Sequence, residues 1–213
     1  MDVTIIGTGN MARGIGSRLL AGGHRLTVVG KDRERAEAVV NDLREEGLDG
    51  KIATAVSGDP LDGDVIVLAV YYPDARAAVE QHRDDLAGKI VVDITNPVNE
   101  SFALVVPPDG SATQELSELA PDARFVKAFN TTFANTLTRG QVAGEPLDVF
   151  IAGDDSEAKD AVATLAHDGG LKAIDAGAGQ RARELEAVGL LHMSVQETLG
   201  TGFGSALKVL AQR

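Results

Sequence analysis

Residues 3–16 read VTIIGTGNMARGIG: a β-branched run, a glycine-spaced turn, and the start of a helical stretch. A G-x-G-x-x-A pattern alone is a weak signal. Here Gly7-Thr8-Gly9-Asn10-Met11-Ala12 follows an apolar strand, opens a helix and is followed by a second strand ending at Val29. That is the setting a dinucleotide-binding turn requires. Gly7 allows the tight turn, Gly9 lets the backbone approach a pyrophosphate, and Ala12 permits close helix–strand packing. The helix start then offers free N–H groups and partial positive charge to an anion.

Outward from this turn, short apolar runs alternate with helix-like stretches. Residues 3–6, 25–29, 51–55, 64–70, 89–94, 124–129, 148–153 and 171–176 read as strands. Residues 10–22, 32–46, 73–86, 112–119, 132–138 and 155–168 read as helices. Several strands are apolar on both faces, as expected of a parallel sheet covered on both sides. The pattern predicts an α/β, Rossmann-type, doubly wound and mostly parallel sheet. After Ala176 it changes. One amphipathic helix is expected over about 180–199, with Leu185, Val188, Leu191, Val195 and Leu199 at helical spacing. A glycine-rich break, GTGFGS, then precedes a last short helix. At 213 residues the chain is expected to be one domain, with 178–213 as an appended helical segment folded back on the sheet.

Composition narrows the chemistry. The net charge of −12 argues against nucleic-acid binding, which depends on neutralising phosphates. The absence of cysteine removes disulfides and thiolate catalysis, and suits a reducing cytoplasm. No apolar run is long enough to span a bilayer, and no basic start with an apolar run suggests a secretory signal. The four histidines lack metal-ligand spacing, so no metal site is expected.

The second strand ends in Gly30-Lys31-Asp32-Arg33-Glu34-Arg35. An NAD site usually carries an acidic residue there for the ribose 2′-hydroxyl. Here Gly30 leaves room while Lys31 and Arg33 are able to approach a 2′-phosphate, so NADP(H) is favoured over NAD(H). Asp32 and Glu34 equally suit a solvated helix start. Three further loops fall at strand carboxyl ends, where ligands bind in such sheets: AVYYPDA (69–75), DITNPVN (93–99) and KAFNTTFANTL (127–137).

Taken together, TGNMARG, VVGKDRERAE, DITNPVN, VKAFNTTFANTL, AGDD, IDAG and LGTGFGSALK resemble the NADPH-dependent reductases of the deazaflavin coenzyme F420. The cytosolic domain of membrane ferric reductases shares their nucleotide-binding fold. The resemblance implies that Thr8, Gly9, Asn10 and Met11 contact the NADP phosphates. It implies a 2′-phosphate held after Gly30, where Lys31 and Arg33 stand in for the family's Ser-Arg pair. It sets Ala69, Val70, Tyr71, Asn96, Pro97 and Ala134 around the nicotinamide. Coenzyme F420 would stack near the Phe129–Phe133 loop and the segment around His192, Met193 and Gly202. Gly179, where relatives carry a bulkier apolar residue, implies a looser loop there. Homo-oligomers, such as a homodimer, are also implied.

Hydride transfer between two flat rings needs alignment in a dry slot rather than an acid or base, so no catalytic side chain is expected. His192 is the one titratable candidate, with a buried structural role as its alternative. Rival readings are an NADPH-dependent flavin or ferric-chelate reductase, and a non-catalytic NADP(H)-binding sensor. A dehydrogenase or imine reductase would need a larger helical domain than the about 37 residues after Ala176 supply.

Overall fold

The predicted alternation closes into an eight-stranded sheet. The computed structural model describes residues 1–48, 50–99, 101 and 103–211. Its first half is β1 (Asp2–Ile6), α1 (Asn10–Ala21), β2 (Arg25–Gly30), α2 (Arg33–Glu45), β3 (Ile52–Val56), β4 (Val65–Leu68), α3 (Tyr72–Gln81), α4 (Arg83–Leu86) and β5 (Ile90–Asp93). Then come α5 (Ala112–Leu119), β6 (Arg124–Lys127), α6 (Ala134–Leu137), the short pair β7 (Gln141–Val142) and β8 (Glu145–Pro146), and β9 (Asp148–Ala152). The chain continues through α7 (Ser156–Asp168), β10 (Lys172–Gly177), α8 (Ala182–Ser194) and α9 (Gln196–Leu199).

Strand order is β10-β9-β6-β5-β4-β1-β2-β3. Pairing is parallel throughout except between β6 and β9. From β3 to β6 this is the doubly wound order, and it reverses between β1 and β4, where a crevice opens beyond the strand ends.

The two-residue period of the strands sorts their side chains. Val3, Ile5, Leu26, Val28, Val65, Val67 and Val92 pack with Ile15, Leu19, Val40, Leu43 and Val162 of α1, α2 and α7. Ile66, Leu68, Val91 and Phe125 face the other way, toward Val79, Leu86 and Leu116 of α3, α4 and α5. Both faces of the central strands are thus covered, which is why their sequences lack polar alternation.

Three local expectations change. The stretch 73–86 is two helices, breaking at His82. The segment 138–147 carries the unanticipated β7–β8 hairpin. The last short helix does not form among the described residues: 204–211 are non-helical. Instead the tail is drawn to the sheet edge by the buried carboxylate of Asp148. It accepts hydrogen bonds from Lys208 Nζ and from the Val209 N–H, each at 2.7 Å.

The expected 180–199 helix divides into α8 and α9, and its buried face is not the predicted one. Ala182, Leu185, Glu186, Gly189 and His192 face inward, while Val188, Leu191 and Leu199 stand in solvent. Glu186 is drawn in by Lys127 of β6, Gly189 by close approach to Asn96, and His192 by the Thr131 carbonyl.

Candidate active site

The turn after β1 is shaped by contact with β4. Gly7 has φ +130°, and a Cβ there would lie 2.2 Å from the Ala69 carbonyl oxygen. Its N–H donates to Val29 at 3.0 Å, tying the turn to β2. Gly9, the α1 N-cap, is extended, lacks a capping side chain, and has nothing within 4 Å of where its Cβ would be. No acidic residue occupies the first turn of α1. First-turn amides without a partner, beside open space, suit an anion. One turn on, Gly14 lets α6 approach, its virtual Cβ lying 3.0 Å from the Ala134 carbonyl oxygen.

These elements border a crevice of about 1060 Å³. Thr8, Gly9, Asn10 and Met11 line it at the turn; Ala69, Val70, Tyr71, Asn96 and Pro97 line it beyond β4 and β5. Ordinary small-molecule pockets hold about 300–1,000 Å³, so two ligands side by side are within its capacity. Shallower hollows of about 330 and 300 Å³ lie at the opposite edge, around Arg25 and Lys51.

At the end near β2, the structure redistributes the predicted roles. Gly30 lines the crevice, and because its Cβ would meet the Asp32 carbonyl oxygen at 2.6 Å, glycine also serves the turn into α2. Asp32 caps α2, accepting the Arg35 N–H at 2.9 Å. That cap sets the helix phase. It leaves Arg33 off the crevice and brings Arg35 onto it beside Lys31. Lys31 Nζ lies 3.2 Å from Asp74 Oδ1, across the mouth. Ser57 and Gln81, hydrogen-bonded at 3.2 Å, form the wall below with Ala77 and Ala78.

The other end is built from three loops and α8. Asn96 and Asn130 clasp each other: Asn96 Nδ2 donates to the Asn130 carbonyl at 2.8 Å, and Asn130 Nδ2 donates to Asn96 Oδ1 at 2.9 Å. Asn130 Nδ2 also reaches the Leu185 carbonyl of α8 at 2.8 Å. Gly189 permits this closeness, since a Cβ there would sit 2.6 Å from Asn96 Oδ1. The Pro97 carbonyl accepts the Val105 N–H at 2.8 Å, and Val98, Asn99 and Val105 line the rim. Phe133 and Met193 close the far wall.

Ala134, expected at the nicotinamide, does not line the crevice; it packs α6 on α1. Phe129, His192 and Gly202 also lie off the lining. Phe129 is buried at φ +61°, a strained conformation for a bulky residue, and turns β6 sharply into the Asn130 loop. Gly179 is not looser but pinned: its N–H donates to Asp154 Oδ1 at 2.8 Å, and a Cβ would collide with that carboxylate.

His192 is buried and satisfied. Its Nδ1 donates to the Thr131 carbonyl at 3.1 Å, leaving Nε2 to accept from Ser205 Oγ at 2.9 Å. Burial holds its pKa below the usual range, which keeps it neutral. It stacks on Phe133 at 4.2 Å, and Phe203 meets Phe133 edge-on at 5.1 Å. Gln196 Nε2 also donates to Ser205 Oγ at 2.8 Å, so α8, α9 and the glycine-rich loop are fastened behind the crevice wall.

Sequence reasoning missed the charges beneath the floor. Lys127 Nζ, fully buried, donates to Asp93 Oδ2 at 2.8 Å, Glu186 Oε1 at 2.8 Å and the Thr95 carbonyl at 2.6 Å. Asp93 also accepts from Thr113 Oγ1 and the Thr95 N–H. Glu186 also accepts the Ala112 N–H at 3.0 Å at the start of α5. Burial pushes Glu186 above the usual carboxylate range, against the pull of Lys127. The available signal was a lysine inside the apolar strand RFVKAF and an aspartate closing KIVVD. Among the described residues no cluster of His, Asp or Glu is arranged to hold a metal ion.

Comparisons with known proteins agree with this geometry. Residues 2–97 match the family model described as NADP oxidoreductase, coenzyme F420-dependent. The F420-dependent NADP reductase of Methanocaldococcus jannaschii is 29% identical over 88% of this chain and 89% of its own length. Metalloreductase STEAP3 of Rattus norvegicus is 32% identical over 88% of this chain, but only 36% of that larger protein is covered. A crystal structure of a candidate F420-dependent NADP-reductase from Arthrobacter sp. FB24 superposes with TM-score 0.86 at 26% identity, covering 98% of this chain and 99% of that one. An imine reductase from Streptomyces aurantiacus, 17% identical, shares the fold at TM-score 0.66 but extends well beyond it. With residues 2–97 matched to the family model and relatives aligned along most of its length, the chain is similar to the coenzyme F420-dependent NADP oxidoreductases.

Proposed function

We propose that this enzyme transfers hydride between NADP(H) and coenzyme F420 in the crevice between the α1 turn and α8. One observation carries the reading: the anion-ready turn and the Phe133–Met193 wall belong to a single continuous cleft. The residues fit the nucleotide. The uncapped first turn of α1, with open space at Gly9, accepts the pyrophosphate; Lys31 and Arg35 face the position of a 2′-phosphate. This replaces Arg33 with Arg35 in the grip and keeps Thr8, Gly9, Asn10 and Met11 at the phosphates. Ala69, Val70, Tyr71, Asn96 and Pro97 border the nicotinamide, with Ala134 supporting them through α6.

When bound, NADPH supplies the hydride; the acceptor ring takes it with a proton from solvent. The chain's own part is alignment. The Asn96–Asn130 clasp fixes the floor, and the apolar side chains of Val70, Phe133 and Met193 exclude water from the slot. No side chain need exchange a proton, because His192 is committed to its two hydrogen bonds. Mixing the protein with NADPH and oxidised coenzyme F420 should bleach the deazaflavin absorbance at a rate proportional to enzyme. Bleaching with free FMN or Fe(III) chelates alone would favour the flavin or ferric-chelate reductase, which the metalloreductase relative suggests. Tight nucleotide binding with no turnover would favour a sensor.

We also infer a homodimer, supported by Val188, Leu191 (63% exposed) and Leu199 on the outer side of α8 and α9. Light scattering after gel filtration tests it, and a monomer would refute it. Residues 1–213 are read as one nucleotide-binding domain, with 178–213 as its helical appendage. No described helix is long and apolar enough to cross a membrane; the lack of cysteine supports a cytoplasmic setting.

A further inference from the structure

We propose that Asp74 is a specificity-determining residue, which competes with the nucleotide's 2′-phosphate for Lys31 and so limits the preference for NADP(H) over NAD(H). The inference rests on the reading of Lys31 and Arg35 as the 2′-phosphate grip.

The two lips of the crevice mouth carry opposite charges. Lys31 follows β2 on one lip; Asp74 stands in the first turn of α3 on the other, and both line the crevice. They meet at 3.2 Å. The second cation on the lining, Arg35, also has a carboxylate partner, with Nε 3.3 Å from Asp32 Oδ2. Neither positive charge facing the nucleotide is therefore free in this arrangement.

The partners differ in what they can yield. Asp32 is occupied as the α2 cap, and its pairing with Arg35 is local to that helix. Asp74 has no such capping bond, since the α3 N-cap is Tyr71. Its carboxylate is directed across the gap to Lys31. A phosphate within reach of the Lys31 ammonium must lie within a few ångströms of Asp74, because both anions seek the same three N–H donors. NADP(H) must displace or tolerate that carboxylate. NAD(H), with a neutral 2′-hydroxyl, is not repelled and can even donate to it. Asp74 thus weakens the phosphorylated nucleotide selectively, which also favours release of NADP+ after turnover. Both side chains are partly exposed, so the effect is a modest, salt-sensitive one.

The test is Asp74→Asn, with dissociation constants for NADPH and NADH measured by nicotinamide fluorescence at low and high salt. NADPH binding should tighten by about 3- to 10-fold at low salt, as expected for one like charge removed near the surface. NADH binding should stay the same or weaken. The gain should shrink at high salt, and Asp74→Glu should restore the original ratio. An unchanged NADPH-to-NADH ratio, or equal changes for both, overturns the proposal. Lys31→Ala with Arg35→Ala separates this from failure of the underlying reading. If that pair weakens NADPH far more than NADH while Asp74→Asn changes nothing, only the Asp74 role falls. If it weakens both nucleotides alike, the 2′-phosphate grip itself is wrong.

Discussion

Replacing Lys127 by methionine tests the charge network under the crevice floor. Methionine is apolar and unbranched, so the change removes a positive charge with little change of packing. Left behind are the carboxylates of Asp93 and Glu186, both fully buried and both previously 2.8 Å from the ammonium. Breaking a buried ion pair from one side costs about 3–5 kcal/mol, chiefly because the surviving charge is uncompensated. At about 2–4 °C per kcal/mol for a chain of this size, the melting temperature should fall by about 6–20 °C. The loss is large against a total stability of about 5–15 kcal/mol. Thermal melts followed by far-UV circular dichroism measure it. Adding Asp93→Asn and Glu186→Gln to Lys127→Met should recover most of the loss, since the carboxylates then carry no charge. A fall of under about 3 °C for the single variant, or no recovery in the triple, would refute the account of uncompensated charge.

Four further outcomes are expected. Lys31→Ala with Arg35→Ala should weaken NADPH binding at least about tenfold more than NADH binding, whereas Arg33→Ala should change both by less than about twofold; parallel titrations decide. Gly189→Ala forces a methyl against Asn96 and should cost about 1–3 kcal/mol, with hydride transfer in single-turnover assays slowed more than nucleotide affinity is reduced. Glu186 has a raised pKa in the folded protein, so the native state holds its proton longer than the unfolded chain and loses stability as pH rises above the ordinary 4.5. Glu186→Gln lacks this loss, and melts across pH should show it improving relative to the parent from pH 4.5 toward neutrality. His192 is shifted the opposite way, so its stability contribution is present above pH 6.5 and is lost on acidification; His192→Asn should flatten that slope in the same melts.

The doubly wound alternation and the glycine-spaced turn were legible because both follow from short-range rules. Short apolar runs, glycine spacing and a strand before a helix do not depend on distant partners. The choice between Arg33 and Arg35 was less accessible: it turns on the register that the Asp32 cap gives α2. The inward face of α8 was misread for a different reason. Spacing favoured its apolar residues, yet Glu186 and Gly189 are buried by partners far away in sequence: Lys127, 59 residues away, and Asn96. Such pairings create no local periodicity. The final helix failed similarly, because helical propensity in a few residues yields to Asp148 capturing Lys208 and the Val209 amide.

That capture gives the last described residues a mechanical duty. Asp148 is a buried carboxylate whose two oxygens are answered by Lys208 and Val209, and Ser205, three residues upstream of Lys208, braces His192 behind the slot. Proteolytic trimming at Ala206 would leave Asp148 with Lys172, 3.9 Å from its Oδ1, in place of the Lys208 and Val209 donors, and would cut the tail loose from the carboxylate that holds it near Ser205 and His192. A change near Lys208 is therefore expected to be felt at Ser205 and His192, behind the aromatic wall.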